Sequence, residues 1–152
     1  MTPGAVQAGG GWLYGTGAAV ALIGLGDAIY LTVKHVTGES ARCTLISGCS
    51  EVLSSSYAVV AGVPLAVIGC LAYFIAFSLA TLAAFGYRLA GRLLGVLVGM
   101  MFLATLWLLY LQAFVIGHFC QFCLLSALVT FVLTGLVVLQ WRRQSFPTKL
   151  KE

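Results

Sequence analysis

The sequence predicts an all-α integral membrane protein, a four-helix bundle covered at one end by a loop and a short amphipathic helix. Three observations carry that prediction. Of 152 residues, 61% are hydrophobic and 8% charged, more apolar surface than one soluble core of this size can bury. Four apolar runs have the roughly 20 residues that a spanning helix needs: 12–33, 63–85, 93–116 and 119–141. A single long polar segment, 34–62, interrupts them. Spanning strands would be about 9–11 residues long with alternating polarity, and that pattern is missing from these runs.

Residues 1–11 are rich in Gly and Ala and are expected to be a flexible N-terminus. The first span, 12–33, has no basic leader, and no small-residue cleavage site follows it, so it reads as a retained helix rather than a signal peptide. Its Gly24 and Gly26 lower local helix propensity and predict a bend. Within the outer loop, 34–62, the stretch through Cys49 holds the turn formers Gly38, Ser40, Ser47 and Gly48. Beyond it Val52, Leu53, Tyr57 and Val60 fall near one helical face, and Glu51 suits a first turn. An amphipathic half-helix over 50–60 is predicted to lie on the membrane surface as a cap.

Pro64 opens the second span, 63–85, where its missing N–H costs nothing. A seven-residue turn, 86–92, leads to the third span, 93–116. The next turn, 117–119, is so short that the third and fourth spans must be antiparallel neighbours. Residues 12–141 form one membrane domain, and 142–152 form a tail. The basic residues set the orientation: Arg88, Arg92, Arg142, Arg143, Lys149 and Lys151 gather on one side, against Lys34 and Arg42 on the other. Positive loops stay in the cytoplasm, so both termini are expected there. The net charge of +4 is a topology signal and does not point to nucleic acid.

The chemistry lies in sulfur. Cys120-Gln121-Phe122-Cys123 stands where the fourth span begins, and Cys43 and Cys49 lie in the outer loop. All four fall on the extracytoplasmic side, where disulfides persist. A prokaryotic plasma membrane is the expected location, with the endoplasmic reticulum as second choice. A helix N-terminus and CxxC geometry both stabilise the reactive thiolate. Cys120 is expected nearer the water, as the attacked sulfur, with Cys123 one turn deeper toward the apolar interior. A flexible loop pair lets electrons pass from a soluble dithiol to the helix pair and on to a lipid-soluble acceptor. Blander readings exist. The loop pair can be a structural staple in a non-enzymatic four-helix protein. Zinc fits badly, because the spacing of the first pair is wrong for a common knuckle. Cys70 reads as a small buried hydrophobe; His118 reads as an interfacial side chain ahead of a proton donor to an acceptor, and Asp27 as a carboxylate that snorkels to water ahead of one that serves a proton path.

Together these residues resemble the vitamin K epoxide reductase family, in a prokaryotic-type form without a fused thioredoxin domain. The resemblance rests on Cys43-x5-Cys49-Ser50-Glu51-Val52-Leu53-Ser54-Ser55, then Gly62-Val63-Pro64-Leu65, then Tyr110-Leu111-Gln112-x7-Cys120-x2-Cys123-Leu124-Leu125-Ser126-Ala127. The disulfide bond formation protein B family shares the trade and helix number but places its CxxC in the first outer loop, the reverse of the order here.

The resemblance implies a bundle around a quinone of menaquinone, ubiquinone or vitamin K type, capped by the half-helix. It implies Cys120 and Cys123 as the active pair, with Cys123 next to the quinone, and Cys43 and Cys49 as the shuttle pair. A partner's thiol would attack Cys49, Cys43 would attack Cys120, and Cys123 would be released to reduce the quinone. Ser55 matches a family serine that positions the site, and Tyr57, Gln112 and Phe122 are candidates for the quinone pocket. The vertebrate enzymes carry an asparagine and a tyrosine where Leu65 and Ala127 stand here. That departure favours a thiol oxidase that reduces plain quinone and supports disulfide formation, with vitamin K epoxide reduction as the alternative. The chain ends about eleven residues after the fourth span, so its thioredoxin-fold partner is expected to be a separate protein.

Overall fold

The computed structural model describes residues 11–38 and 49–145. In chain order, α1 covers Gly11–Thr37 and α2 covers Cys49–Ser54, followed by a 3-10 turn at Ser56–Ala58. Strands β1 (Val59–Val60) and β2 (Val63–Pro64) pair antiparallel. α3 spans Leu65–Ala84, α4 Arg88–Tyr110 with a π-helical continuation through Leu111–Ile116, and α5 Gln121–Ser145. Among the described residues, four helices are long and apolar enough to cross a membrane. The chain is a multi-pass membrane protein.

The four long helices close into a ring in which α1 packs on α3 and α5, and α4 packs on α3 and α5. Short reversals make consecutive long helices α3, α4 and α5 antiparallel. The turn between α3 and α4 therefore lies at one end of the bundle, and the start of α5 lies at the other. In lipid no hydrophobic force drives helices together, so close approach by small residues takes over. The shared core accordingly holds Ala21, Ala28, Ala76 and Ala80 around Tyr73, with Leu94, Val98, Val129 and Leu133. Large side chains such as Leu71, Phe74, Leu103 and Phe114 point outward, as a lipid solvent permits.

Gly24 faces Tyr73 across the α1–α3 seam. A Cβ there would overlap the Tyr73 ring. α1 is one continuous helix through Gly24 and Gly26, so their low helix propensity does not interrupt it, and Gly24 serves close approach to Tyr73.

Two further expectations change. The helical cap predicted over 50–60 ends at Ser54 and gives way to the 3-10 turn and hairpin. Serine side chains compete for backbone partners, and Ser54 and Ser55 each donate to a carbonyl three residues back. Val59, Val60 and Val63 then favour strand. Ala61 and Gly62, both at positive φ (51° and 83°), make the tight turn. The reversal predicted over 86–92 is also shorter than expected, because α4 begins at Arg88. Gly86, at φ 96°, provides the left-handed step just before it.

Candidate functional site

α5 places its sulfurs by its first turn. Leu124 N donates to the Cys120 carbonyl at 3.0 Å, so Cys120 occupies the capping position. The backbone N–H groups of Phe122 and Cys123 turn toward the Cys120 sulfur. The thiol of Cys120 is held below its usual value, at about 7, chiefly by a hydrogen bond from the Cys123 side chain. Burial opposes that shift, and the two backbone N–H groups assist it.

Cys120, expected nearer the water than Cys123, is itself fully buried. Its roof is α2. Cys49 is 1% exposed and Cys120 0%, and their Sγ atoms lie 3.5 Å apart. Leu31, Val52, Leu53, Ala66, Ile116 and Phe122 close around them as a second apolar core. Cys49 is disulfide-bonded, whereas Cys70, Cys120 and Cys123 are free thiols. Cys43 lies outside the described residues.

The π-helical segment sets the other side of Cys120. One residue inserted into the helical repeat turns Gln112 inward, where it is 3% exposed. Its Oε1 accepts the Cys120 backbone N–H at 3.2 Å. Gly117, at φ 69°, ends the segment in the left-handed region that favours glycine.

Beside Cys123 the bundle holds a partly open cavity of about 210 Å³. Cys123 is on its wall and Cys120 is not, so the CxxC pair has one sulfur facing the α2 lid and one facing the cavity. Of the residues expected to line a pocket, Ser55, Tyr57 and Gln112 do, as do Leu65 and Ala127. Phe122 does not. Its ring packs on Tyr30 at 4.9 Å between centroids, because the residue just before Cys123 on a helix points about 100° away from it. His118 is exposed at the turn and lines no part of the cavity. Cys70 is partly buried rather than fully buried as expected; it packs against the shared core, with Thr32 Oγ1 at 3.5 Å.

The cavity also holds polar groups that sequence reasoning did not collect. Tyr73 reaches from α3 to α5, with its hydroxyl 2.7 Å from Ser126 Oγ, 3.1 Å from Thr130 Oγ1 and donating to the Ser126 carbonyl at 3.0 Å. Asp27 lines the same wall. It is 8% exposed with neither carboxyl oxygen hydrogen-bonded, so it does not snorkel to water as expected. An acidic residue inside an apolar run was the signal for Asp27. For Tyr73, Ser126 and Thr130 the sequence carries none.

The profile described as "Vitamin K epoxide reductase family" matches residues 16–138. The chain belongs to the vitamin K epoxide reductase family. The matched stretch covers most of α1 through most of α5 and takes in α2, both CxxC sulfurs and the cavity. The thiol-disulfide oxidoreductase LTO1 of Arabidopsis thaliana is a similar protein, 37% identical over 121 residues and covering 74% of this chain. This chain spans about a third, 32%, of that relative's length. Of the two loop cysteines, Cys49 is buried and set against Cys120, and Cys43 lies outside the described residues.

Proposed function

We propose that the chain is a membrane thiol oxidase that passes electrons from a thioredoxin-fold protein to a quinone, with Cys43 and Cys49 as the shuttle pair and Cys120 and Cys123 as the active pair. The observation that carries this reading is the row of sulfurs: disulfide-bonded Cys49 lies 3.5 Å from Cys120, and Cys123 opens to the cavity. The name of the Arabidopsis relative supports the thiol–disulfide half of it.

A donor thiolate attacks Cys43 and breaks the Cys43–Cys49 bond, and Cys49 leaves as thiolate. The donor's second thiol then closes the donor disulfide and frees Cys43. Cys49 attacks Cys120 in the oxidised active pair, breaking Cys120–Cys123 and releasing Cys123. Cys43 next attacks Cys49, which restores the shuttle disulfide and leaves Cys120 and Cys123 reduced. Two electrons have moved inward, and each exchange needs only in-line access and a good leaving thiolate. Cys120, with its lowered thiol, is that leaving group in the last exchange.

The cavity suits a quinone ring. Its wall is mostly apolar, with a few polar groups from Ser55, Gln112 and Tyr73, the pattern of small-molecule sites. Its volume of about 210 Å³ fits a ring better than a whole tailed lipid. A bound quinone supplies a two-electron sink beside Cys123. Leu65 and Ala127 give the wall no polar side chain at those positions, which favours plain quinone reduction over epoxide chemistry. The sulfurs and α2 share one end of the bundle. Arg88, Arg92, Arg142 and Arg143 share the other, which supports a cytoplasmic location for that end. A prokaryotic plasma membrane remains the proposed location.

An anaerobic assay tests the reading. Purified protein receives a reduced thioredoxin-fold donor and either ubiquinone-1, menadione or vitamin K epoxide. Quinol formation that matches donor oxidation one to one, and that is lost in Cys123→Ala, is the expected result. Wild-type rates in Cys123→Ala would sink it.

A further inference from the structure

Among the described residues, Asp27 is a buried acidic group that the sulfur relay does not use. It sits ten residues before the end of α1, roughly 15 Å along the helix axis. It is 8% exposed, on the cavity wall, and both carboxyl oxygens lack a hydrogen-bond partner. Buried polar groups in proteins are nearly always partnered, and an ionisable side chain inside a membrane span is by default functional. The other titratable groups on this wall are His35, Tyr57, Tyr73 and Cys123. The Tyr73 hydroxyl is committed to Ser126 and Thr130. Tyr57 is half-exposed and His35 only partly buried, so both sit at the rim. Among the described residues on this wall, Asp27 is thus the one deep group outside the sulfur pair with acceptor and donor capacity to spare.

We propose that Asp27 is the proton carrier of the site, taking thiol protons from the sulfur pair and delivering them to the oxygens of the electron acceptor in the cavity. This rests on the thiol oxidase reading above. When Cys120 and Cys123, both protonated, close to a disulfide, two S–H bonds break, one S–S bond forms, and two electrons and two protons leave the pair. The electrons go to the quinone, and the protons must cross an apolar cavity to its two oxygens. The Asp27 carboxylate accepts one thiol proton and, as a carboxyl, gives it up at the acceptor. That regenerates the carboxylate, which carries the second proton the same way. Two O–H bonds form, and Asp27 ends as it began.

The test uses the full chain in detergent with ubiquinone-1. Asp27→Asn keeps the shape but cannot carry a proton. Its kcat for quinol formation is expected to fall by about 100-fold, the scale of a lost general acid–base group, with KM little changed. Asp27→Glu restores most of it. A second readout is independent of turnover. Time-resolved infrared difference spectra of the wild type, recorded as ubiquinone-1 oxidises the sulfur pair, should contain a transient carboxyl band that shifts in D2O and is lacking in Asp27→Asn. The chain has only four Asp and Glu residues, so the assignment is tractable. Unchanged kcat, an effect on KM alone, or a band that survives in Asp27→Asn overturns the proposal. If melting curves show that Asp27→Asn is unfolded, Asp27→Glu decides: a folded Glu variant without the band overturns it. A wild-type protein that forms no quinol fails earlier, at the reading beneath.

Discussion

Cys49 Sγ rests 3.5 Å from Cys120 Sγ, with both residues buried. The two come from separate elements, the six-residue α2 and the capping position of α5. A disulfide-bonded sulfur beside a free thiol at that distance is one exchange away from a new partner.

Removing Cys123 should trap that exchange. In Cys123→Ala the Cys120 thiolate attacks Cys49 of the shuttle disulfide and Cys43 leaves as thiolate; with no Cys123 to resolve it, the Cys49–Cys120 bridge is expected to accumulate. Rapid alkylation followed by peptide mass spectrometry reads it. A bridge from Cys120 to Cys43 instead would overturn the order of transfer.

The Cys120 thiol should titrate near neutrality. Its value is lowered to about 7, so thiolate is the main form above that pH and is lost as pH falls through it. Ultraviolet thiolate absorbance of the reduced protein, minus that of Cys120→Ser, should rise with a midpoint near pH 7. The largest cause is the Cys123 side chain. In Cys123→Ala, kept fully reduced, the midpoint should move upward.

Gln112→Leu should destabilise the start of α5. It leaves the buried Cys120 N–H without its acceptor, a loss of about 1–3 kcal/mol. A lower melting temperature in detergent checks this. A variant as stable as the wild type would mean that the hydrogen bond contributes nothing.

Gly24→Ala tests the α1–α3 seam. The added methyl meets the Tyr73 ring, and overpacking of this kind costs about 1–3 kcal/mol. The same melting assay should register it. Gly26→Ala, at a site with open space, should leave the melting temperature unchanged or raise it.

Much of the architecture was legible because the relevant signals are local. Spanning helices are runs of apolar residues, and the four expected runs correspond to α1, α3, α4 and α5. Their ends were less legible. Lys34, His35, Arg88 and Arg92 read as loop residues by charge, yet they extend α1 and α4, because backbone hydrogen bonding continues past the apolar stretch. The half-helix was correct as far as Ser54. The hairpin after it depends on a two-residue turn with an alanine at positive φ, which residue preferences do not announce.

The sequence by itself determined that four helices cross a membrane and that the CxxC pair opens the last of them. Length, apolarity and spacing within one segment are enough for that. Only the tertiary structure decided which sulfur meets which, that Phe122 turns toward Tyr30, and that Asp27 faces the cavity unpartnered. Those facts depend on how α1, α2, α3 and α5 rotate against each other, and such rotations are set by the packing of small residues between segments far apart in the chain.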